Sequence, residues 1–434
     1  MTDVTRRVDA FLGAYGMDPG RVDLDRCAQA FQADMEKGLR GDPDAHMLML
    51  PTYLSPQGEV PRNQPAIVID AGGTNFRIAL VSLGAQGPEV QELRVFPMPG
   101  SQGPITWAEF VDQVAEAVLP LTGRSRRVGL CFSYAAEILP NRDGRVLRFS
   151  KQVQVEGAEG RELGRDLSAA LAEKGAPGVT FAVLNDTVAA LLGGVAALGE
   201  EVFDGFIGLI YGTGVNTCYA EDREKLAKVA APWARDTMLI NMEAARFDGA
   251  PQSEFDRRLD AQSVDPGLCR YEKMVSGRYQ GEVIYYALRQ GAEEGLFSPK
   301  LSAFLQGLAG LTSVQADAFS ARPYGDGLLA SACRTEADRE AVYTVIDRAV
   351  ERSARLVCAN LGGILLQTGA GTHIHRPVCI VAEGSTFYKG HLFRGKLERL
   401  CAEYFTGVLG RHYAFRKVAD ANLIGTAAAA LLNL

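Results

Sequence analysis

The chain alternates between short apolar runs, which are typical of buried strands, and longer stretches in which apolar residues recur every three or four positions. At two places, residues 70–75 and residues 212–216, a glycine-rich turn separates one apolar run from the next. Each arrangement predicts a β-hairpin. The pattern after the first hairpin predicts further elements: a third strand over 90–96, helices over 107–119 and 162–174, and buried strands over 127–133 and 180–184.

The same order of elements begins again near residue 205. This repetition predicts an α/β protein with mixed sheets, folded as two similar lobes with ligands between them. We expect an N-terminal helical segment (1–62) that packs on the large lobe, a small lobe (63–185) and a large lobe (186–421). Later patterns predict a helix over 337–366, a strand over 378–382 and a C-terminal helix over 422–434, with Asn422 as its candidate N-cap. That last helix could close either lobe, so its addition to the small lobe is one alternative.

Both glycine-rich turns have the composition of a phosphate site. No helix follows either turn, so the helix N-terminus used by P-loops and dinucleotide folds is missing. Consecutive backbone N–H groups would hold the phosphate instead, because glycine has no Cβ to keep it away. One such turn is equally typical of an ordinary hairpin, but two indicate a triphosphate gripped between two lobes. The candidate phosphate-binding residues are Gly72, Gly73, Thr74, Asn75, Gly212, Thr213 and Gly214.

Two carboxylates follow predicted strands. Asp70 comes directly before the first turn and could hold Mg²⁺ that bridges nucleotide phosphates, although a turn-capping role is the alternative. Asp186 follows the strand over 180–184 and would cap the next helix, a role that is compatible with catalysis. In a cleft between lobes it could accept the proton of an attacking hydroxyl, while Asn185 holds neighbouring hydroxyls. Glu272 is expected about two turns into a helix that begins at Asp265 and Pro266.

Composition narrows the class of protein. The 434 residues carry 45 Lys and Arg against 52 Asp and Glu, and this net charge of −7 argues against an obligatory nucleic-acid partner. None of the eight cysteines forms a CxxC pair, which is typical of reduced thiols in a cytosolic protein. We see no signal peptide and no apolar stretch of bilayer length, so a cytoplasmic protein with no membrane partner is expected. His373 and His375 lack a third ligand nearby and are expected at a loop or strand edge.

Seven segments stand in order along the chain: 70–77, 132–134 with 149–151, 184–187, 212–219, 240–243, 266–277 and 383–389. They resemble motifs of the eukaryotic-type hexokinases, which belong to the fold group of actin, sugar kinases and heat-shock ATPases. The resemblance covers the chain from about residue 67 to its end. Residues 70–77 and 212–219 resemble the two phosphate motifs, and residues 383–389 resemble the adenosine motif. The other segments resemble sugar-contacting, catalytic and glutamate motifs: 132–134 with 149–151, 184–187, 240–243 and 266–277.

The resemblance implies two actin-like, ribonuclease H-like lobes with the active site in the cleft between them. It implies that Asp186 is the general base for the sugar 6-hydroxyl and that Lys151 lies near the transferred phosphoryl group. The implied sugar-binding residues are Ser133, Ser150, Lys151, Asn185, Asp186, Asn216, Glu243 and Glu272. Asp70 would serve Mg²⁺, and the implied ATP-binding residues are Gly73, Thr74, Asn75, Arg77, Thr213, Gly384 and Ser385.

The sequence departs from the family pattern around the sugar. Ala135 and Ala136 replace Pro and Cys, Cys269 stands where Gln is usual, and further changes fall at Phe149–Ser150, Gln152 and Ala244–Ala245. We therefore expect a hexose and ATP as substrates, with glucose as the leading hexose and mannose, fructose or an amino sugar as alternatives. A hexose-sensing protein without turnover and an actin-like or chaperone-like ATPase are the competing classes, and a monomer or homodimer is expected.

Overall fold

The computed structural model describes residues 2–58, 60–73, 75–84, 87–149, 153–198, 201–229 and 233–433. Its helices are α1 (Asp3–Ala14), α2 (Leu24–Arg40), α3 (Trp107–Val118), α4 (Leu163–Glu173), α5 (Asp186–Ala197), α6 (Glu254–Gln262), α7 (Arg270–Val275), α8 (Gln280–Glu293), α9 (Pro299–Gly307), α10 (Ser313–Ala321), α11 (Leu328–Ala332), α12 (Glu336–Thr368), α13 (Ser385–Lys389), α14 (Phe393–Cys401) and α15 (Ala421–Asn433). Its strands are β1 (Leu50–Pro51), β2 (Pro65–Gly72), β3 (Asn75–Gly84), β4 (Gly87–Pro97), β5 (Ile105–Thr106), β6 (Arg127–Phe132), β7 (Ala135–Ile138), β8 (Gly144–Arg148), β9 (Val155–Glu156), β10 (Thr180–Leu184), β11 (Gly205–Tyr211), β12 (Val215–Asp222), β13 (Thr237–Asn241), β14 (Val378–Glu383) and β15 (Tyr413–Arg416).

Two mixed sheets repeat one topology. The first has the order β10-β6-β2-β3-β4, and the second has the order β1-β13-β12-β11-β14-β15. In each sheet three consecutive strands pair antiparallel, a later strand pairs in parallel with the first of them, and a last strand pairs in parallel with that later strand. The second sheet also has β1, which pairs antiparallel with β13. The predicted hairpins, the third strand and the duplicated two-lobe α/β architecture are therefore confirmed.

Helices cover these sheets with two large apolar clusters. One cluster joins β11, β12 and β14 with α2 and α12, and the other joins β2, β3 and β6 with α3 and α4. The N-terminal helices α1 and α2 both pack on α12. The residue boundaries of the lobes given above stay a prediction. Among the described residues, no helix is both long and apolar enough to cross a lipid bilayer.

Helix α15 lies against the first sheet and packs on α5, which in turn packs on the second sheet. Its residues Leu423 and Ala427 pack on Ala66 and Val68 of β2, and its other side packs on α5. The approach to its neighbours is so close that a Cβ on Gly425 would lie 1.8 Å from the carbonyl oxygen of Ala189, and one on Gly129 would lie 2.1 Å from that of Thr426. Glycine is therefore required at both contacts.

The helix starts predicted at Asn422 and at Asp265 are wrong. Asn422 is not an N-cap, because α15 begins at Ala421 after Asp420, whose φ of 53° ends the preceding loop. The helix expected from Asp265 begins five residues later at Arg270, because Gly267 and Cys269 take φ values of 83° and 50° that interrupt a right-handed helix. His373 and His375 lie at a turn closed by an isolated bridge between His373 and Arg376, as expected.

Candidate active site

The first glycine turn joins β2 to β3 and opens onto a cavity. Asp70 pairs in register with Arg77, whose Nε donates a 2.9 Å hydrogen bond to Asp70 Oδ2 while its Nη2 contacts the same oxygen. At Gly73 the chain takes a φ of 61°. The cavity of about 440 Å³ is lined by Asp70, Gly72, Gly73, Asn75, Arg77, Val95, Ser133, Asp186 and Asn422. Most of the predicted residues of the first phosphate turn therefore lie beside the predicted base.

The second turn joins β11 to β12 and contacts the predicted adenosine segment. The N–H of Gly212 donates to the carbonyl of Gly214 at 2.9 Å, and the hydroxyl of Thr386 donates to the carbonyl of Gly212 at 3.0 Å. Gly384 takes a φ of 117°, and a Cβ there would lie 2.3 Å from the carbonyl oxygen of Tyr211. The backbone nitrogen of Ser385 lies 3.8 Å from the position that a Cβ on Gly212 would occupy. The structure thus brings Gly212, Gly384 and Ser385 together at one edge of the sheet.

Asp186 is the first residue of α5, at the carboxyl end of β10. The helix is capped one residue earlier than expected, because Asn185 Oδ1 accepts the N–H of Thr187 at 2.9 Å. Asp186 Oδ1 accepts the same N–H at 2.8 Å. Burial raises the pKa of the Asp186 carboxyl to about 6, and the nearby charges of Asp70 and Glu243 act in the same direction. A carboxylate with this pKa is suited to accept a proton near neutral pH.

A chain of side-chain hydrogen bonds leads through the second lobe to Glu243. Asn216 Nδ2 donates to Asn241 Oδ1 at 2.7 Å, and Asn241 Nδ2 donates to Glu243 Oε1 at 2.8 Å. Glu243 takes a φ of 55°, a left-handed conformation that costs an L-residue about 1–2 kcal/mol. Glu243 and Asn185 line one small cavity of about 70 Å³. Burial raises the pKa of Glu243, although the Asn241 hydrogen bond opposes this.

Glu272 faces the second glycine turn from the first turn of α7. Its Oε2 accepts the backbone N–H of Val215 at 3.2 Å and lies 2.6 Å from the position that a Cβ on Gly214 would occupy. Burial raises the pKa of this carboxyl, and the charge of Glu243 raises it further. Glu243 therefore lies within electrostatic reach of both Asp186 and Glu272. A ligand with several hydroxyl groups would fit such a set, because each hydroxyl can donate a hydrogen bond to a carboxylate and accept one from an amide N–H.

Three predicted site residues, Thr74, Ser150 and Lys151, lie outside the described residues. Ser133 lines the first cavity, and its backbone N–H donates to the carbonyl of Ala71 at 3.1 Å.

Four residues at the site were not predicted from the sequence to act there. Tyr134 donates to the carbonyl of Gly73 at 2.6 Å, and Asn241 links Asn216 to Glu243. Thr386 supports Gly212, and Asn422 lines the cavity with an amide oxygen that has no hydrogen-bond partner among the described residues. Three of them stand inside motifs already quoted, so neighbouring polar residues in those motifs were the available signal. For Asn422 the only signal was its polarity in an apolar helix.

The residues at Asp70 fit a magnesium site that is completed by substrate. Within the described ranges, no group of three or more His, Cys, Asp and Glu side chains could hold a metal ion by itself. Mg²⁺ in phosphoryl-transfer sites is commonly held by one or two carboxylates plus phosphates and water. Asp70 offers one such carboxylate at the cavity, with Arg77 on its Oδ2.

The chain is similar in sequence and in fold to known proteins. Models of the hexokinase family match residues 15–195 and 206–432. Hexokinase-1 of Nicotiana tabacum is 29% identical over 442 residues, covering 94% of this chain and 88% of that protein. Hexokinase-5 of Oryza sativa subsp. japonica is 30% identical over 372 residues, covering 79% of this chain and 72% of that protein. The solved hexokinase of Schistosoma mansoni, complexed with glucose, shares the fold with a TM-score of 0.78 at 22% identity over 99% of both chains. The chain belongs to the hexokinase family.

Proposed function

We propose that the protein is an ATP-dependent hexose kinase that transfers the γ-phosphoryl group to the 6-hydroxyl of a hexose, with glucose as the leading substrate. The observation that carries the proposal is the position of Asp186. It lines the cavity of the first glycine turn, and the adjacent Asn185 lines the small cavity that contains Glu243. A base at this junction can accept the proton of a hydroxyl held on one side, as that oxygen attacks a phosphate held on the other.

In this proposal the hexose is held by hydrogen bonds to amides and carboxylates. The sugar hydroxyls would form hydrogen bonds with the side chains of Asn185, Asn216, Glu243 and Glu272, together with Ser133 and Ser150. Asp186 would take the proton of the 6-hydroxyl as that oxygen attacks the γ-phosphorus. The raised pKa of Asp186 supports this role, because a stronger base takes the proton more readily while it remains ionised near neutral pH.

The phosphates of ATP would lie at the two glycine turns, and its adenosine near Gly384 and Ser385. Gly72, Gly73, Thr74, Asn75 and Arg77 would serve the first turn, and Gly212, Thr213 and Gly214 the second. Asp70 would hold Mg²⁺, which when bound neutralises phosphate charge. We assign Lys151 a place near the transferred phosphoryl group, where its ammonium would offset the charge that develops in transfer.

The proposal extends to the context of the reaction. It includes the first step of glycolysis, a cytoplasmic location and a monomeric or homodimeric state without a nucleic-acid or membrane partner. Mannose, fructose or an amino sugar is the alternative acceptor, because several departures from the family pattern lie in the sugar-contacting segments. A sensor that binds hexose without turnover is the alternative class, and the presence of Asp186 with both glycine turns favours the kinase.

A coupled assay of ADP release tests the proposal. We expect Mg²⁺- and hexose-dependent turnover for the wild type with at least one member of a panel of glucose, mannose, fructose and glucosamine. Asp186→Asn should abolish this turnover, whereas the control Asp166→Asn should retain it, because that carboxylate accepts a bond from Trp107 in the small lobe. Absence of hexose-dependent ADP release for every sugar would refute the kinase. Full activity of Asp186→Asn would refute only the role of that residue.

A further inference from the structure

An ion pair joins the two segments that carry Glu243 and Glu272. The Nη1 of Arg270 donates to Asp248 Oδ2 at 2.5 Å, and the two side chains are 35% and 26% exposed. Asp248 follows Glu243 after a single turn at Ala244–Arg246, and Arg270 precedes Glu272 by two residues at the start of α7. The pair therefore connects the two carboxylate-bearing segments close to the carboxylates themselves.

The loop before α7 has a second anchor on α6. Asp260 accepts the N–H of Gly267 at 3.1 and 3.0 Å and the ammonium of Lys273 at 2.7 Å. Lys273 is only 1% exposed and also donates to the backbone carbonyl of Asp265 at 2.7 Å. Although burial acts to raise the pKa of Asp260, the bonds from Lys273 and Gly267 lower it, so the carboxylate stays charged. Arg270 Nε lies 3.5 Å from the same carboxylate.

Both joined segments contain a non-glycine residue in the left-handed region. Glu243 has a φ of 55°, and Cys269, which caps α7, has a φ of 50°. Such conformations persist when the surrounding structure fixes them. On one side of Cys269, Asp260 holds Gly267, and on the other side Asp248 holds Arg270. The same bond to Asp248 also fixes the segment that follows Glu243.

We propose that Arg270 and Asp248 are positioning residues that set the separation of the Glu243 and Glu272 carboxylates, and through it the affinity for hexose. This inference rests on the proposed function. Neither residue needs to touch the sugar, because the ion pair acts through the backbone of the two segments. Just beyond the opposite end of α7, a separate contact supports the second glycine turn: the N–H of Gly277 donates to the carbonyl of Gly212 at 2.9 Å. Loss of the ion pair should therefore weaken hexose binding more than ATP binding.

Calorimetric titration of hexose in the absence of ATP, combined with steady-state kinetics, tests the inference. The variants are Arg270→Ala, Asp248→Asn, their double mutant and the conservative Arg270→Lys. The control is Arg348→Ala, which breaks a pair of similar exposure (30% and 32%) between Arg348 and Asp9, at 2.9 Å, on α12 and α1. Asp248→Asn keeps the side-chain shape, so it remains informative if Arg270→Ala unfolds.

We expect the hexose Kd and KM to rise about tenfold in each single variant, since a misplaced binding group loses affinity steeply. The double variant should be little worse than Arg270→Ala, because both single variants remove the same ion pair and only Arg270→Ala also loses the contact with Asp260. Arg270→Lys should recover part of the affinity, while kcat and the KM for ATP stay within about twofold of the wild type.

Three results overturn the inference. An unchanged hexose Kd in Asp248→Asn, with normal wild-type turnover, refutes the positioning role and leaves the kinase intact. Parallel losses in hexose affinity, ATP affinity and kcat show a general structural role instead. A wild type that binds no hexose by calorimetry and shows no turnover refutes the proposed function together with this inference.

Discussion

The hydroxyl of Tyr134 donates a 2.6 Å hydrogen bond to the backbone carbonyl of Gly73. Tyr134 belongs to the segment expected to contact sugar, and Gly73 forms the first glycine turn with a φ of 61°. Burial raises the pKa of the phenol to about 12, so it remains a donor at any physiological pH. The bond therefore connects the two halves of the proposed reaction site within one lobe.

Tyr134→Phe removes the hydroxyl that donates to the carbonyl of Gly73, and the glycine turn loses this hydrogen bond. We expect the KM for ATP to rise about two- to tenfold, which corresponds to the 0.5–1.5 kcal/mol of a typical hydrogen bond. Initial rates over a range of ATP concentrations at saturating hexose measure the effect. Tyr324→Phe is the control, since that phenol is 71% exposed and donates to Glu336. Equal KM values in both variants would contradict the role assigned to Tyr134.

The pH profile should report the ionisation of Asp186. The base must be a carboxylate to accept a proton, and its pKa is raised to about 6, so kcat/KM for hexose should fall as the pH drops through that value. Below it we expect a slope approaching about tenfold per pH unit. Initial rates between pH 5 and 8, with stability checked at each pH, provide the measurement. A flat profile across this range would exclude a base with the raised pKa.

Asp186→Asn should stabilise the fold while it removes activity. The folded-state pKa of Asp186 lies above its ordinary value of 3.8, so the ionised carboxylate disfavours the folded state above pH 6. Replacement by a neutral amide should raise the free energy of unfolding by about 3 kcal/mol at pH 7.5, since the pKa is raised from 3.8 to about 6 and each pKa unit is worth about 1.4 kcal/mol. The gain should disappear below about pH 4, where the carboxyl is protonated in both states. Urea unfolding at both pH values tests this, and a gain of equal size at both would refute the electrostatic origin.

Gly214→Ala should disturb the hexose site more than the fold. The new Cβ would lie 2.6 Å from Glu272 Oε2, and the end of that side chain can move aside at modest cost. We expect the hexose KM to rise about tenfold with a change in Tm of only a few degrees. Gly395→Ala in α14 is the control, because its Cβ would meet no described atom within 4 Å. A hexose KM unchanged by Gly214→Ala would show that Glu272 is not needed where it lies.

Regular elements could be predicted from the sequence wherever the apolar pattern was local and strong. The hairpin at Asp70 and the strand that ends at Leu184 are confirmed within a few residues, because alternation and glycine turns encode them directly. The helix expected from Asp265 is wrong, because the Lys273 ammonium and two left-handed residues hold that stretch as a loop. Such constraints come from contacts made only in the folded chain.

In the candidate site too, the sequence motifs predicted some residues, whereas contacts made only in the folded chain determine others. Motif order predicted that Asp70, Asp186, Glu243 and Glu272 belong to one site. The structure brings Asp186 into electrostatic range of Asp70 and Glu243, and Glu243 into range of Glu272. The hydrogen bond from Tyr134 to Gly73 could not be read from the sequence, because it depends on how β6 lies beside β2. The ion pair of Arg270 with Asp248 joins two segments whose spacing only the tertiary fold defines.

The position of α15 has a consequence for the order in which the molecule can form. The face of β2 that presents Ala66 and Val68 is covered by Leu423 and Ala427, which are synthesised more than three hundred residues later. During translation this face of the first sheet therefore stays exposed until the second lobe and α15 have been synthesised. Contacts of such high sequence separation form late and favour intermediates. The nascent protein is therefore expected to need protection from aggregation at this sheet until α15 arrives.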